Sequence, residues 1–164
     1  MERHFQDQLE RIDRLMKIIR SDDQQSLLGS ALIFEDVIFF ACQSMWHLKD
    51  WILNDANFQA KDTAKLKTAI HSQKCLLVCA DIANGSKHLI LKHPKIGATL
   101  GGRHGIMSYP SQGIYKIYYY VTCANEDDPY HGVEIRELLV DARNAWGQII
   151  DTHYLSIVDG WESE

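Results

Sequence analysis

The sequence predicts a mainly α-helical fold: a single-domain antiparallel bundle of four main helices, with a β-hairpin inserted before the last helix. Apolar residues recur at helical spacing over four long segments. One segment, residues 113–123, instead alternates between its two faces with the period of a strand. The 164 residues suffice for one domain with a sizeable core, so we place the whole chain, 1–164, in a single domain.

The first two helices follow from apolar periodicity. Residues 3–20 carry apolar side chains at alternating steps of four and three, which predicts a helix that packs on one neighbour. These side chains are Phe5, Leu9, Ile12, Met16 and Ile19. A second helix is predicted from about Ser26 to Asn57. Its stretch 31–53 is apolar around most of the circumference, which indicates the buried central helix of the molecule.

The middle of the chain is predicted to contain two further helices and a long connection. A short polar helix over 61–71 is expected to begin at Asp62 or Thr63. A third long helix covers 73–91 and contains Gly85, which indicates either a close approach or a bend. Residues 95–112 are rich in glycine and show no periodicity, so we predict a loop there.

The last third of the chain is predicted to hold the hairpin and the final helix. The strand over 113–123 is expected to return through 130–134, which gives a hairpin at about 113–134. Residues 134–157 then form the last long helix, with acidic residues near its start that suit the helix dipole. A loose tail is expected over 159–164.

Bulk composition argues against several classes of protein. The hydrophobic content of 46% excludes disorder, and the net charge of −5 argues against a broad basic nucleic-acid surface while leaving a local patch open. No apolar run reaches the length of a membrane span, and the N-terminus lacks a secretory signal. The four cysteines lie mostly in apolar stretches, which is typical of buried thiols in a reducing cytoplasm. We therefore expect a cytoplasmic protein with no metal and no other cofactor.

A narrow polar stripe interrupts the apolar circumference of the second helix. Its members follow one another at steps of seven, four, three and four residues and lie within an arc of about 60°. They are Asp36, Gln43, His47, Asp50 and Asn54. The stripe is either the solvated face of the helix or a polar seam between helices, and the sequence leaves both alternatives open.

A second polar stripe lies on the third long helix and could form a cleft together with the stripe on the second helix. It carries Asp81, Asn84 and His88. If it faces His47 and Asp50, two carboxylates, two imidazoles and an amide meet in one place. An imidazole beside a carboxylate suits general acid–base catalysis near neutral pH, and the same set suits a divalent metal. The alternative is that each stripe is simply solvated, or that His47 and Asp50 form a hydrogen-bonded pair inside the bundle.

Three further groups of residues are candidates for binding, each with a structural alternative. Trp46 and Trp51 flank the polar stripe and suit stacking on a base or an aromatic side chain, although tryptophans are more often part of a core. Arg103 and His104 lie in the glycine-rich segment, which would act as a lid or as an ordinary loop. On the predicted strand, Lys116, Tyr118 and Tyr120 form a face that suits single-stranded RNA, the cover of the bundle or a dimer contact.

Two segments carry a resemblance to a known family. MWHLKDWI in the second helix and CADIANGSKHLIL in the third resemble small bacterial and phage proteins with a W-H-x-x-D-W motif followed by a D-x-A-N-x-x-K-H motif. The pairing resembles the wider HEPN superfamily of helical bundles. The resemblance implies a fold that is often dimeric and, in many members, metal-independent ribonuclease activity in toxin–antitoxin, phage-defence or RNA-processing systems.

The resemblance also implies a set of site residues. The usual active motif of the family is an Arg, often followed by Asn or Asp, and then a His. Here the best match runs from Asp81 through Asn84 to His88, and position 80 is Ala where the Arg would be sought. Lys87, beside His88, is a candidate for binding. The first hypothesis is therefore a protein that acts by binding, as a homodimer or with a protein partner encoded nearby, in a defence or toxin–antitoxin setting. The alternatives are a ribonuclease that uses His88 as its acid–base group and binds RNA through the groups above, and a metal-dependent hydrolase.

Overall fold

The computed structural model describes residues 4–21, 31–55, 62–86, 93–107 and 115–153. Within these ranges the protein is mainly helical, with a two-stranded antiparallel hairpin before the last helix, which confirms the predicted fold class. The helices are α1 (Phe5–Arg20), α2 (Ala31–Asn54), α3 (Thr63–Ser72), α4 (Lys74–Gly85) and α5 (Ile135–Thr152). The strands are β1 (Ala98–Met107) and β2 (Tyr115–Cys123).

Helix α2 is the central helix, as its apolar sequence predicts. It packs chiefly against α1 and α4 and also contacts α5. Its side chains at Phe34, Ile38, Met45 and Leu48 are at most 1% exposed. The predicted ends of this helix, at Ser26 and Asn57, lie outside the described residues.

Helix α1 buries most of the side chains that the periodicity predicts, with one exchange. Phe5, Ile12, Met16 and Ile19 are buried, but Leu9 is only partly buried. Gln8 is buried in its place and donates a hydrogen bond from Nε2 to the backbone oxygen of Ser44 at 3.2 Å. The amide thus joins the α1–α2 contact because it finds a backbone acceptor on α2.

Polar contacts define the starts of two helices, α3 and α5. Asp62 accepts the N–H of Lys65 at 3.0 Å and caps α3, as predicted. Glu134 accepts the N–H of Arg136 at 3.2 Å and caps α5. Helix α4 ends at Gly85, where a Cβ would have no neighbour within 4 Å, so this glycine does not mark a close approach. Residues 87–92 and the predicted tail at 159–164 lie outside the described residues.

The prediction of a loop over residues 95–112 is wrong, because residues 98–107 form strand β1. This strand pairs with β2 in an antiparallel register that places Ala98 opposite Cys123 and Met107 opposite Tyr115. The glycines hide the strand from sequence patterns, but they suit its backbone. A Cβ at Gly101 would collide with Oγ1 of Thr122, so glycine makes room for the cross-strand side chain.

The hairpin bounds predicted at 113–134 are also wrong, although β2 itself is confirmed. Residues 130–134 do not form a second strand, but they meet β2 in an isolated antiparallel bridge between Glu134 and Tyr120. Beside it, the N–H of Val121 donates to the carbonyl oxygen of Val133 at 2.9 Å, and the carbonyl oxygen of Val121 accepts from the N–H of Gly132 at 2.8 Å. The predicted two faces of β2 are observed where side chains are described. Tyr119, Val121 and Cys123 are buried on one face.

Candidate functional site

The polar stripe on α2 is mostly a solvated face. Asp36, Asp50 and Asn54 are exposed, whereas Gln43 and His47 are half-buried. The Asp50 carboxylate is paired with Nζ of Lys49 at 2.7 Å, and the Asp50 side chain is 53% exposed. Water therefore reaches most of this stripe. The stripe and two neighbouring apolar residues together form a surface that we call the α2 outer face (Ile33, Asp36, Phe40, Gln43, His47, Asp50 and Asn54).

Asp81 on α4 is oriented toward the backbone of the following segment. Its residue is 1% exposed, and its two carboxylate oxygens accept four backbone N–H groups. Oδ1 accepts from Lys95 at 2.7 Å, and Oδ2 accepts from Ile96 at 2.7 Å, Gly97 at 2.8 Å and Ala98 at 3.3 Å. The carboxylate thereby anchors the start of β1 to α4.

One observed contact joins the α2 outer face to the residue that follows α4, and it involves no member of the second predicted stripe. Nε2 of Gln43, on the α2 outer face, donates to Oγ of Ser86 at 3.2 Å. Asn84, two residues earlier, is half-buried. His88 and Lys87 lie outside the described residues, so the shared cleft of His47 and His88 stays a prediction.

Each of the two tryptophans beside the stripe has partners within the chain. Trp46 is 9% exposed; its ring meets the His71 ring edge-on with centroids 5.9 Å apart, and Nζ of Lys49 lies 4.8 Å from its centroid. Trp51 is half-buried, with the Arg11 guanidinium 6.0 Å from its ring. These contacts place Trp46 in the core and leave an edge of Trp51 accessible.

The predicted aromatic face of the hairpin lies against α5. Tyr118 and Tyr120 are half-buried, and the Arg136 guanidinium lies 5.2 Å from the centroid of the Tyr118 ring. Arg103 and His104 belong to β1, opposite Tyr119 and Tyr118. Their segment is therefore a paired strand and not a lid, and their side chains lie outside the described part.

The four cysteines are free and buried. The pKa of Cys79 lies well above its ordinary value because its thiol contacts that of Cys42 and because it is buried. Burial also raises the pKa values of Cys75 and Cys123. Among the described residues, no three His, Cys, Asp or Glu side chains are grouped so that they could hold a metal ion.

Two exposed apolar side chains on the α2 outer face were missed by the sequence reasoning. Ile33 is 47% exposed and Phe40 is 56% exposed. They are seven residues apart, so they lie within about 20° of each other on the helix, at one edge of the arc that the polar residues of the stripe occupy. This angular position was the available signal, but it was hidden because apolar residues surround most of this helix.

No protein-family model, no curated protein and no solved structure matches the chain. In the described part of the chain, the helices are too short or too polar to cross a membrane.

Proposed function

We propose that the protein acts by binding, as a homodimer whose contact surface is the α2 outer face. One observation carries the proposal: within the described ranges, Ile33 and Phe40 are the large hydrophobic side chains that are exposed, at 47% and 56%. They project from the same side of a helix whose other described apolar side chains are buried or half-buried. Exposed apolar side chains aligned on one helix face are typical of a helix–helix interface.

A second copy of α2 is the occupant that this face fits. Its members follow one another at alternating steps of three and four residues, the spacing of a coiled-coil seam. An antiparallel pair centred between residues 40 and 43 places Phe40 opposite Gln43 of the other copy. The same register places His47 opposite Asp36, an electrostatically complementary pair. Polar residues at such positions select one register over its neighbours.

The state of two carboxylates in the predicted cleft favours binding over hydrolysis. Asp81 is enclosed by backbone N–H groups, and Asp50 is paired with Lys49 at the surface. The sequence resemblance adds a setting to the proposal: a HEPN-like helical bundle of a bacterial or phage genome that works in a defence or toxin–antitoxin system beside an encoded protein partner.

The test of the dimer is the molar mass in solution, measured by light scattering from about 1 to about 100 μM, the range in which a micromolar dissociation constant is visible. The proposal predicts a concentration-dependent rise toward twice the chain mass of 18.8 kDa. A mass that stays at 18.8 kDa throughout this range would overturn it.

One contact favours a second candidate function, a metal-independent ribonuclease that uses His88. The Gln43–Ser86 hydrogen bond holds the chain two residues before His88 against the α2 outer face, one helical turn from His47. RNA could bind beside this contact, with Asn84 and His47 orienting the 2′-hydroxyl and phosphate.

Incubation of the protein with labelled RNA, with and without EDTA, tests this candidate. Cleavage that survives EDTA, is lost in His88→Ala and persists in the control His153→Ala would support it. Cleavage that EDTA abolishes would instead indicate the metal-dependent hydrolase. Intact RNA with the purified wild-type protein would reject both enzymes and leave the binding role.

A further inference from the structure

A surface cavity of about 650 Å³ lies between the second half of α1 and the middle of α5, and we call it the α1–α5 cavity. Asp13, Lys17 and Arg20 line it from α1; they follow one another at steps of four and three residues and therefore share one side of the helix. Arg143 lines it from α5. Its volume lies in the range of about 300 to 1,000 Å³ that is typical of sites for small molecules.

The α1–α5 cavity carries an excess of positive charge. Asp13 is the one carboxylate among the described residues that line it, and both of its oxygens are occupied by Arg143, through Nε at 2.7 Å and Nη2 at 3.2 Å. This pair fixes the guanidinium and leaves Nη1 of Arg143 available to a ligand. Lys17 and Arg20 are exposed, and no described carboxylate forms a salt bridge with either. Three positive charges against one negative charge leave a net charge of +2.

Carboxylates beyond Arg20 limit the length of an anionic ligand. Arg20 also lines a neighbouring cavity, together with Arg136, Glu137 and Asp141. The charge of Arg136 is already paired there, because its Nη1 lies 2.8 Å from Oε1 of Glu134. A polyanion that extended past Arg20 would therefore meet two carboxylates of like charge. The arrangement favours a ligand whose negative charge is confined to one group.

The end of α1 opposes an anion less than a free helix end would. The last carbonyl groups of a helix carry partial negative charge when they lack hydrogen-bond donors. Here the oxygen of Ile18 accepts the N–H of Ser21 at 3.2 Å, and the oxygen of Ile19 accepts Nε of Arg136 at 3.0 Å. Because these carbonyls are satisfied within the chain, the charges of Lys17 and Arg20 dominate the cavity.

We infer that the α1–α5 cavity binds the phosphate group of a phosphate monoester whose body is apolar. Such a phosphate carries a charge close to −2 at neutral pH, since its second pKa is about 6, and this charge matches the net charge of the cavity. Its oxygens accept hydrogen bonds from Lys17, Arg20 and Nη1 of Arg143. Buried Met16 lines the same cavity, and its thioether suits contact with an apolar or aromatic body.

A group with a single negative charge fits less well, because it leaves one of the two unpaired cations without a partner. This applies to a carboxylate and to a sulfate ester. The α1–α5 cavity contains no residue of the α2 outer face, so the inference goes beyond the proposed dimer and does not depend on it.

NMR titrations of the ¹⁵N-labelled protein at pH 8 test the inference with three probes. Phenyl phosphate has both the charge and the body, phenyl sulfate has the same shape with one charge, and inorganic phosphate lacks the body. Phenyl phosphate is expected to shift the amide signals of residues 13–21 and 140–147 and to bind at least about fivefold more tightly than either control. Binding of either control as tight as that of phenyl phosphate, or no shifts in these segments, would overturn the inference.

A fourth probe distinguishes two sources of the monoester. The peptide acetyl-Ala-Ala-phosphotyrosine-Ala-Ala-amide carries the phenyl phosphate group within a polypeptide. Weaker or equal binding of the peptide, compared with phenyl phosphate, assigns the site to a small molecule. Tighter binding assigns it to a phosphorylated side chain of a protein partner.

Two variants locate the site. Lys17→Gln and Arg20→Gln are each expected to weaken the binding of phenyl phosphate about fivefold, because each removes one exposed charge pair. Both side chains are exposed, so the melting temperatures should stay close to that of the wild type. Lys67→Gln, an exposed substitution on α3, is the matched control and should leave the affinity unchanged. An equal loss in Lys67→Gln, or an unchanged affinity in both cavity variants, would contradict a site at the α1–α5 cavity.

Discussion

The carboxylate of Asp81, on α4, accepts the backbone N–H of Gly97 at 2.8 Å across sixteen positions of the chain. The N–H groups of Lys95, Ile96 and Ala98 converge on the same carboxylate. A single buried side chain therefore neutralises a cluster of backbone donors at the point where the chain enters the hairpin. The site residue that the sequence resemblance singles out first thus supports the connection between the bundle and β1.

Asp81→Asn is expected to lower the free energy of unfolding by about 3 kcal/mol, because hydrogen bonds to a buried charged acceptor are strong and the amide presents N–H to other N–H groups. Urea denaturation followed by circular dichroism measures the change. Asp50→Asn, at the exposed end of the α2 outer face, is the control and should change stability by less than about 0.5 kcal/mol. Equal stability of the two variants would contradict the anchoring role of Asp81.

Gly97→Ala is expected to be more destabilising than Gly132→Ala. Both glycines have positive φ, 76° and 77°, so both substitutions strain the backbone by about 1 kcal/mol. A Cβ at Gly97 would also lie 2.7 Å from the Cβ of Ala124, whereas a Cβ at Gly132 would have no neighbour within 4 Å. The difference between the two melting temperatures isolates the steric part, and a larger loss in Gly132→Ala would refute this explanation.

The ion pair between buried Asp128 and half-exposed Lys74, with Nζ 2.9 Å from Oδ2, predicts a pH dependence of stability. Burial raises the pKa of Asp128, but the N–H of Tyr130 and the Lys74 ammonium outweigh burial and hold it below its ordinary value. The folded state thus favours the ionised form. Its stabilisation is complete above the ordinary pKa of about 3.9 and is lost as the pH falls through the lowered folded value.

Asp128→Asn is therefore expected to be less stable than the wild type by about 1 kcal/mol at pH 7, because it loses the charged pair. The gap between their free energies of unfolding should close as the pH falls below about 4. Denaturation curves collected across this range measure it. A gap that widens with acidification would have the wrong sign for a lowered pKa.

Local sequence patterns predicted the elements whose stability has a local cause. The period of α1 and the alternation of Tyr119, Val121 and Cys123 in β2 follow from which face is buried, and Asp62 caps α3 through a contact only three residues away. Strand β1 was not predicted because its glycines remove the alternation of side chains that identifies a strand. Its position also depends on pairing with β2 and on hydrogen bonds to Asp81, which sequence patterns within β1 do not show.

The candidate site was less predictable for a similar reason. The sequence pattern of a polar stripe is the same whether the stripe contacts solvent or another helix. The pattern therefore did not predict that Asp36 and Asp50 are exposed. Asp81 belongs to the same kind of pattern and is buried, because its partners are backbone groups that carry no side-chain signature. Phe40 is apolar yet exposed, and only its angular position beside Gln43 and Asp36 distinguishes it from the core residues of α2.

The most direct test of the central claim is sedimentation equilibrium of the wild type and Phe40→Ser, with Asn144→Ser as a control at an exposed position on α5. Two copies each bury a phenylalanine that is 56% exposed in the single chain. The account predicts that Phe40→Ser raises the dimer dissociation constant at least about tenfold, whereas Asn144→Ser leaves it unchanged. A wild-type dimer that Phe40→Ser leaves intact would contradict the α2 outer face as the contact surface.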